Sequence, residues 1–277
     1  MQFHIHSFSD EAGSELSAQI AAMKRCGHEG MEIRGIGRKN VSELTLSEAR
    51  EVKQALEAEG LAVWSIGSPI GKINIEDDFG AHLEVFRHCL ELGAMFGAKA
   101  FRLFSFYFEA DQNPDEYEGK VIDRMGQFLD IARPYGIVLC HENEKKIFGD
   151  IASRCKKLHE ALPELRAVFD PANFIQCGQE TLPAWEELKE YTQYLHIKDA
   201  RPDGIVVPAG AGMGHVAEIV ADYVARGGRD FTLEPHLAQL STGMQIEKEL
   251  LGEFVYPSAD AAFDAADTAL KQILAKY

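Results

Sequence analysis

The sequence predicts an α/β fold, a closed (β/α)8 barrel forming one domain over residues 1–277, and three observations lead there. Eight short apolar runs alternate with longer segments whose apolar residues recur three and four positions apart. Glycine ends several of the longer segments, in "CGHEG", "EAEGL", "RPYGI" and "ARGGRD", where a helix should stop before the next strand begins. Eight such units in 277 residues match the ~250 residues typical of this barrel. Strict alternation also implies parallel strands joined by crossover helices. An open doubly wound sheet would carry a Gly-rich phosphate fingerprint after its first strand, and "HSFSDEAGSE" has none.

The strand candidates are "FHIHS" (3–7), "GMEIR" (30–34), "LAVWSI" (61–66), "AKAFRLF" (98–104), "GIVLCHE" (136–142), "RAVFD" (166–170), "QYLHIKD" (193–199) and "RDFTLEP" (229–235). Between them, Leu83, Phe86 and Leu90 share a helical face, as do Val121, Met125, Phe128, Leu129 and Ala132, and Val216, Ile219, Val220, Tyr223 and Val224. Ser47, followed by Glu51, and Ser258 after Pro257 read as helix starts. The final segment, "SADAAFDAADTALKQILAKY", reads as an amphipathic helix.

Hydrophobic residues make up 46% of the chain, enough to fill a sizeable core. The formal charge of −16 argues against a nucleic-acid partner, whose phosphates require a basic face. No apolar run reaches the ~18 residues of a membrane span. The start, "MQFHIHSFSDEAG", lacks the basic-then-apolar pattern of a signal peptide, so a cytoplasmic protein is expected. The cysteines Cys26, Cys89, Cys140, Cys155 and Cys177 form no C-x-x-C pair and read as buried thiols.

In this barrel the C-terminal strand ends face the active site. Strand two ends at Glu32 and Arg34, strand four near Arg102, strand five at His141 and Glu142, and strand six at Asp170. Strand seven carries His196, Lys198 and Asp199, and strand eight ends at Glu234 and His236. Four consecutive strands thus finish in metal-ligand chemistry. Taken singly, Asp170 before Pro171 could simply cap a turn, and Glu234 before Pro235 could end a strand. Jointly, three carboxylates and an imidazole suit a divalent ion, Mn²⁺, Mg²⁺ or Co²⁺ first and zinc as an alternative. A cation would also relieve the repulsion among the carboxylates.

The strings "HENEKKIFGD", "FDPANF", "HIKDA" and "LEPH", in this order, resemble the xylose isomerase-like TIM barrel family of sugar phosphate isomerases and epimerases, and "SIGSPIGK" and "FRLFSFY" fit the same group. The resemblance spans strand one to strand eight. It implies that Glu142, Asp170, His196 and Glu234 bind the metal, and that Glu142 and Glu234 exchange protons with substrate. Two positions depart from the ketose epimerases of the family: Asn173 stands where they carry a histidine, and Phe148 where they carry a second substrate-binding glutamate. In "VVPAGAGMGHV", Ala211 and Met213 take places that are acidic in many relatives.

The expected chemistry is metal-assisted proton transfer beside a carbonyl, through an enediolate, in a small sugar, keto-sugar or sugar phosphate. Return of the proton to the opposite face gives epimerisation, and return to the next carbon gives isomerisation. An inosose-type dehydratase and a non-catalytic sugar-binding barrel are the alternatives. Lys198 and His236, then Glu32, Arg34 and Arg102, are expected to hold substrate oxygens, with Asn173 beside them and Lys72 on a loop over the mouth. A phosphate would meet the backbone of "GAGMG" (210–214) or "STG" (241–243). Trp64, Phe104, Phe106 and Phe174 are candidate walls of the site. His4 and His6 read as core residues. The sequence is silent on oligomeric state, although the resemblance allows a homo-oligomer, which is common among relatives.

Overall fold

The computed structural model describes residues 2–237 and 254–277. Eight strands form the barrel: β1 (His4–Ser7), β2 (Gly30–Ile33), β3 (Ala62–Gly67), β4 (Ala100–Leu103), β5 (Val138–Glu142), β6 (Arg166–Phe169), β7 (Thr192–Ile197) and β8 (Asp230–Leu233). They pair in chain order, every pair parallel, and β8 closes on β1 with Ser7 opposite Leu233. Each apolar run of the sequence is therefore a barrel strand.

The surrounding helices are α1 (Leu16–Cys26), α2 (Leu46–Ala58), α3 (Phe79–Phe96), α4 (Glu118–Ala132), α5 (Ala152–Ala161), α6 (Pro171–Gln176), α7 (Thr181–Leu188), α8 (Val216–Ala225) and α9 (Ala259–Leu274). Their ends follow local chemistry. Gly27 and Gly97 adopt left-handed conformations that close α1 and α3. The Ser258 side chain accepts from the Ala261 N–H and starts α9, as expected. The start of α2 differs from expectation. Thr45, not Ser47, is the cap, because Thr45 and Glu48 stand three residues apart and satisfy each other's N–H groups reciprocally. Ser47 has Arg50 at that spacing and cannot do the same.

Side chains alternate along each strand, and that alternation separates two environments. Outward residues such as Phe101, Leu139, Phe169, Leu195, Ile197, Phe231 and Leu233 pack under the helices. Phe86 of α3 meets Phe101 and Phe128 edge-on, with ring centres 5.4 and 4.7 Å away. Truncating it to alanine would cost about 3–5 kcal/mol. Inward residues fill the barrel in layers. Ala100, Cys140, Val168 and Tyr194 pack with Trp64 in the lower one, where His6 stacks on Trp64 at 4.8 Å. His6 is thus the core histidine that was expected, whereas His4 is partly exposed and bonds Glu29. The polar inward residues lie above this floor. Among the described residues no helix is long and apolar enough to cross a membrane.

Candidate metal centre and the cavity above it

Two residues beyond the inward-facing Cys140, Val168, Tyr194 and Thr232, at the C-terminal ends of β5, β6, β7 and β8, stand Glu142, Asp170, His196 and Glu234. One ligand atom from each lies within 4.8 Å of all the others, and all four residues are buried. The His196 Nδ1 stands 3.1 Å from Glu142 Oε1 and 3.5 Å from a Glu234 oxygen. Asp170 serves two purposes. Its Oδ1 accepts the Asn173 N–H at 3.0 Å and caps α6, while its Oδ2 turns into the cluster. Asn143 fixes its backbone from both sides, accepting the Asp170 N–H and donating to its carbonyl.

The donors fit a single divalent cation. Asp170 Oδ2 and Glu142 Oε2 are buried and accept no well-directed hydrogen bond, although Lys198 Nζ and Arg102 Nη1 stand 2.7 and 3.1 Å away. Burial, and then the neighbouring Glu234 and Glu142, push the Asp170 carboxyl up to about 7, against the pull of Lys198. Burial acts on Glu142 too, but His196 and Arg102 outweigh it and hold the group to about 2. Among the described residues, six carboxylates meet at the mouth: Asp10, Glu11, Glu142, Glu144, Asp170 and Glu234. Five cations face them: Arg34, Lys72, Arg102, Lys145 and Lys198. Glu142, Asp170 and Glu234 crowd one imidazole among them, and a divalent ion between these carboxylates would relieve their mutual repulsion.

Above the cluster lies a cavity that opens to solvent. Among the described residues that line it, Val206 is the one apolar residue. Arg34, Lys72, Arg102, Asn173, Lys198 and His236 all reach it, as the sequence suggested. Lys198 Nζ bridges Asp170 and Glu234, and Asn173 Nδ2 donates to Glu142 Oε1 at 3.2 Å. Lys72 and Arg102 lie over the Phe104 ring, and Arg34 over Phe8. Gly67 makes room for Phe8, because a Cβ there would fall 2.5 Å from its ring. Trp64, Phe106 and Phe174 belong to the packed interior instead.

Glu32 departs from the expectation. It is fully buried and does not line the cavity. It bonds His196 from below. The "GAGMG" loop also departs. The N–H groups of Gly210, Gly212 and Gly214, with that of Ala200, all point at the buried Asp199 carboxylate, so they are not free to hold a phosphate. A Cβ on Gly212 or Gly214 would collide with Asp199 Oδ1, at 2.3 and 2.6 Å. "STG" (241–243) lies outside the described residues. Two acids at the site went unnoticed in the sequence. Glu144 lies two positions beyond Glu142, and strand alternation alone puts it on the same face. Glu11 sits in a 3-10 turn after β1, where no periodicity marks it, and burial pushes it up to about 7.

The family model described as xylose isomerase-like TIM barrel matches residues 20–245. No curated protein matches the sequence significantly. Among solved structures, the IOLI protein with a bound zinc atom superposes with a TM-score of 0.76 at 16% identity, covering 100% of this chain and 99% of that one. An L-ribulose 3-epimerase gives 0.74 at 16% identity, covering 100% and 95%. The probable 3-DHS dehydratase AsbF from Bacillus anthracis gives 0.73 at 16%, covering 98% and 99%. At such identities the likeness shows the fold.

Proposed function

The chain belongs to the xylose isomerase-like TIM barrel family, and we propose that it is a divalent-metal-dependent isomerase or epimerase of a small sugar, keto-sugar or sugar phosphate. The convergence of Glu142, Asp170, His196 and Glu234 within 4.8 Å carries this reading. These four would hold the ion, with Mn²⁺, Mg²⁺ or Co²⁺ favoured by the three carboxylates. When bound, such an ion supplies Lewis-acid polarisation of a carbonyl.

The described residues of the cavity lining are polar almost throughout, which suits a polyhydroxylated ligand over an apolar or aromatic one. Glu142 and Glu234 both reach the cavity, from strands separated by two others, and therefore meet a bound substrate from different directions. One carboxylate takes the proton from the carbon next to the carbonyl and the other returns it. Negative charge developing on the substrate oxygens faces the Lys198 ammonium and the Arg102 guanidinium, both held by packing and ion pairs. Asn173 and the Lys198 ammonium steady the two carboxylates between turnovers. His236, Arg34 and Lys72 are placed to fix the remaining hydroxyl groups or a phosphate.

Solvent hydrogen uptake tests the reaction type before any product is known. Candidate ketoses and ketose phosphates are incubated in tritiated water with Mn²⁺, Mg²⁺ or Co²⁺. Incorporation into substrate that depends on metal, and is lost in both Glu142→Gln and Glu234→Gln, supports the proposal. Ligand binding without exchange would favour a sugar-binding barrel, and release of water with an enone product a dehydratase.

A further inference from the structure

We propose that Glu32 is a positioning residue that fixes the tautomer of His196, so that the metal is held through Nδ1; this rests on the metal-centre reading above. The argument is one of proton accounting. Glu32 is buried at the end of β2, and its carboxylate receives hydroxyl hydrogens on both oxygens. Tyr194 donates to Oε1 at 3.0 Å and Thr232 to Oε2 at 2.9 Å. Arg102 Nε adds a positive charge 3.8 Å from Oε1. A carboxylate so arranged is an acceptor only. The third group on it is His196 Nε2, 3.2 Å from Oε2, and that nitrogen must therefore carry hydrogen.

The ring then presents Nδ1 to the cavity side, where Glu142 Oε1 lies 3.1 Å away. The rest of the environment leaves it little freedom to turn. His196 is fully buried, with the Phe8 ring edge-on at 5.2 Å and Tyr194 at 5.5 Å. A carboxylate bonded to the far nitrogen of a ligating imidazole orients it and raises its basicity, and loss of such a partner weakens metal binding ~10–100-fold. Glu32, Thr232 and Tyr194 thus form a buried support linking β2, β8 and β7 beneath the metal cluster, on residues that do not line the cavity.

The test is calorimetric titration with Mn²⁺ and Zn²⁺, together with long-range ¹H–¹⁵N correlation of ring nitrogens in the zinc-loaded protein. Wild type should bind one equivalent and show a His196 ring protonated at Nε2 and metallated at Nδ1. Glu32→Gln can accept through one oxygen only, and its affinity should fall ~10–100-fold. Thr232→Val, which leaves Glu32 in place, should fall a few-fold, and Thr232→Ser should restore the loss. If Glu32→Gln does not fold, the valine–serine pair reads the same contact. Wild-type affinity in Glu32→Gln or Thr232→Val, or zinc bound through Nε2, would overturn the assignment and leave the metal centre standing. No binding to wild type would overturn the metal centre itself.

Discussion

Asp199 is the place to test how the mouth is built. Its carboxylate is buried and accepts four backbone N–H groups: Ala200 and Gly214 on Oδ1 at 2.8 and 2.7 Å, Gly210 and Gly212 on Oδ2 at 2.9 and 3.1 Å. Asp199→Asn keeps the shape and replaces one oxygen by an NH₂ group. Whichever way the amide turns, two N–H donors then face another donor. Each buried donor left unpaired costs about 1–3 kcal/mol, so the substitution should destabilise the loop by about 2–6 kcal/mol. The melting temperature should fall by several degrees, at about 2–4 °C per kcal/mol for a chain of this order of size. Hydrogen exchange should report the loss locally, with Gly210, Gly212 and Gly214 amides losing protection before the barrel strands do. Asp203→Asn, on the exposed part of the same loop, is the control and should melt with wild type. Val206 lines the cavity and Gly204 accepts from Gln176, so KM should rise as well. An Asp199→Asn protein that melts within 1 °C of wild type, with its glycine amides still protected, would refute the account of the loop.

Other perturbations read other parts of the molecule. Glu142→Gln and Glu234→Gln should each lower solvent hydrogen exchange into substrate by about 10²–10⁴-fold, measured at saturating metal. Removal of metal by a chelator should abolish that exchange, and Mn²⁺, Mg²⁺ or Co²⁺ should restore it. Gly67→Ala should drive Phe8 from beneath Arg34 and Arg102, lowering activity and melting temperature together. Asp267 of α9 accepts from His28 Nε2 at 2.9 Å and Lys271 Nζ at 2.7 Å, and these bonds outweigh burial and hold it below the ordinary carboxylate range. Because its folded value is depressed, its stabilisation should persist above pH ~4 and disappear as pH falls further. The melting-temperature gap between wild type and Asp267→Asn should accordingly close in acid.

The eight strands, the helices between them and the C-terminal strand ends could all be read in the sequence, because the periods of 2 and 3.6 are local and glycine marks the joins. The four proposed ligands were legible for the same reason: each falls at the C-terminal end of its own strand, two positions beyond a buried inward residue. Roles were less legible than positions. Asp170 can both cap α6 and face the cluster, since its two oxygens point different ways, and only the fold shows that it does both. Glu32 and Arg34 share a strand face, yet one is sealed under His196 and the other reaches the cavity. Depth within the barrel depends on strand stagger and on the bulge between Met31 and Glu32, which no local pattern encodes. The glycines of "GAGMG" promised free N–H groups, but Asp199, eleven residues before Gly210, takes them all. Local pattern determined which residues face inward; closure of the barrel decided which of them meet, because partners such as Glu32 and His196 stand 164 residues apart and come together only when β8 pairs with β1.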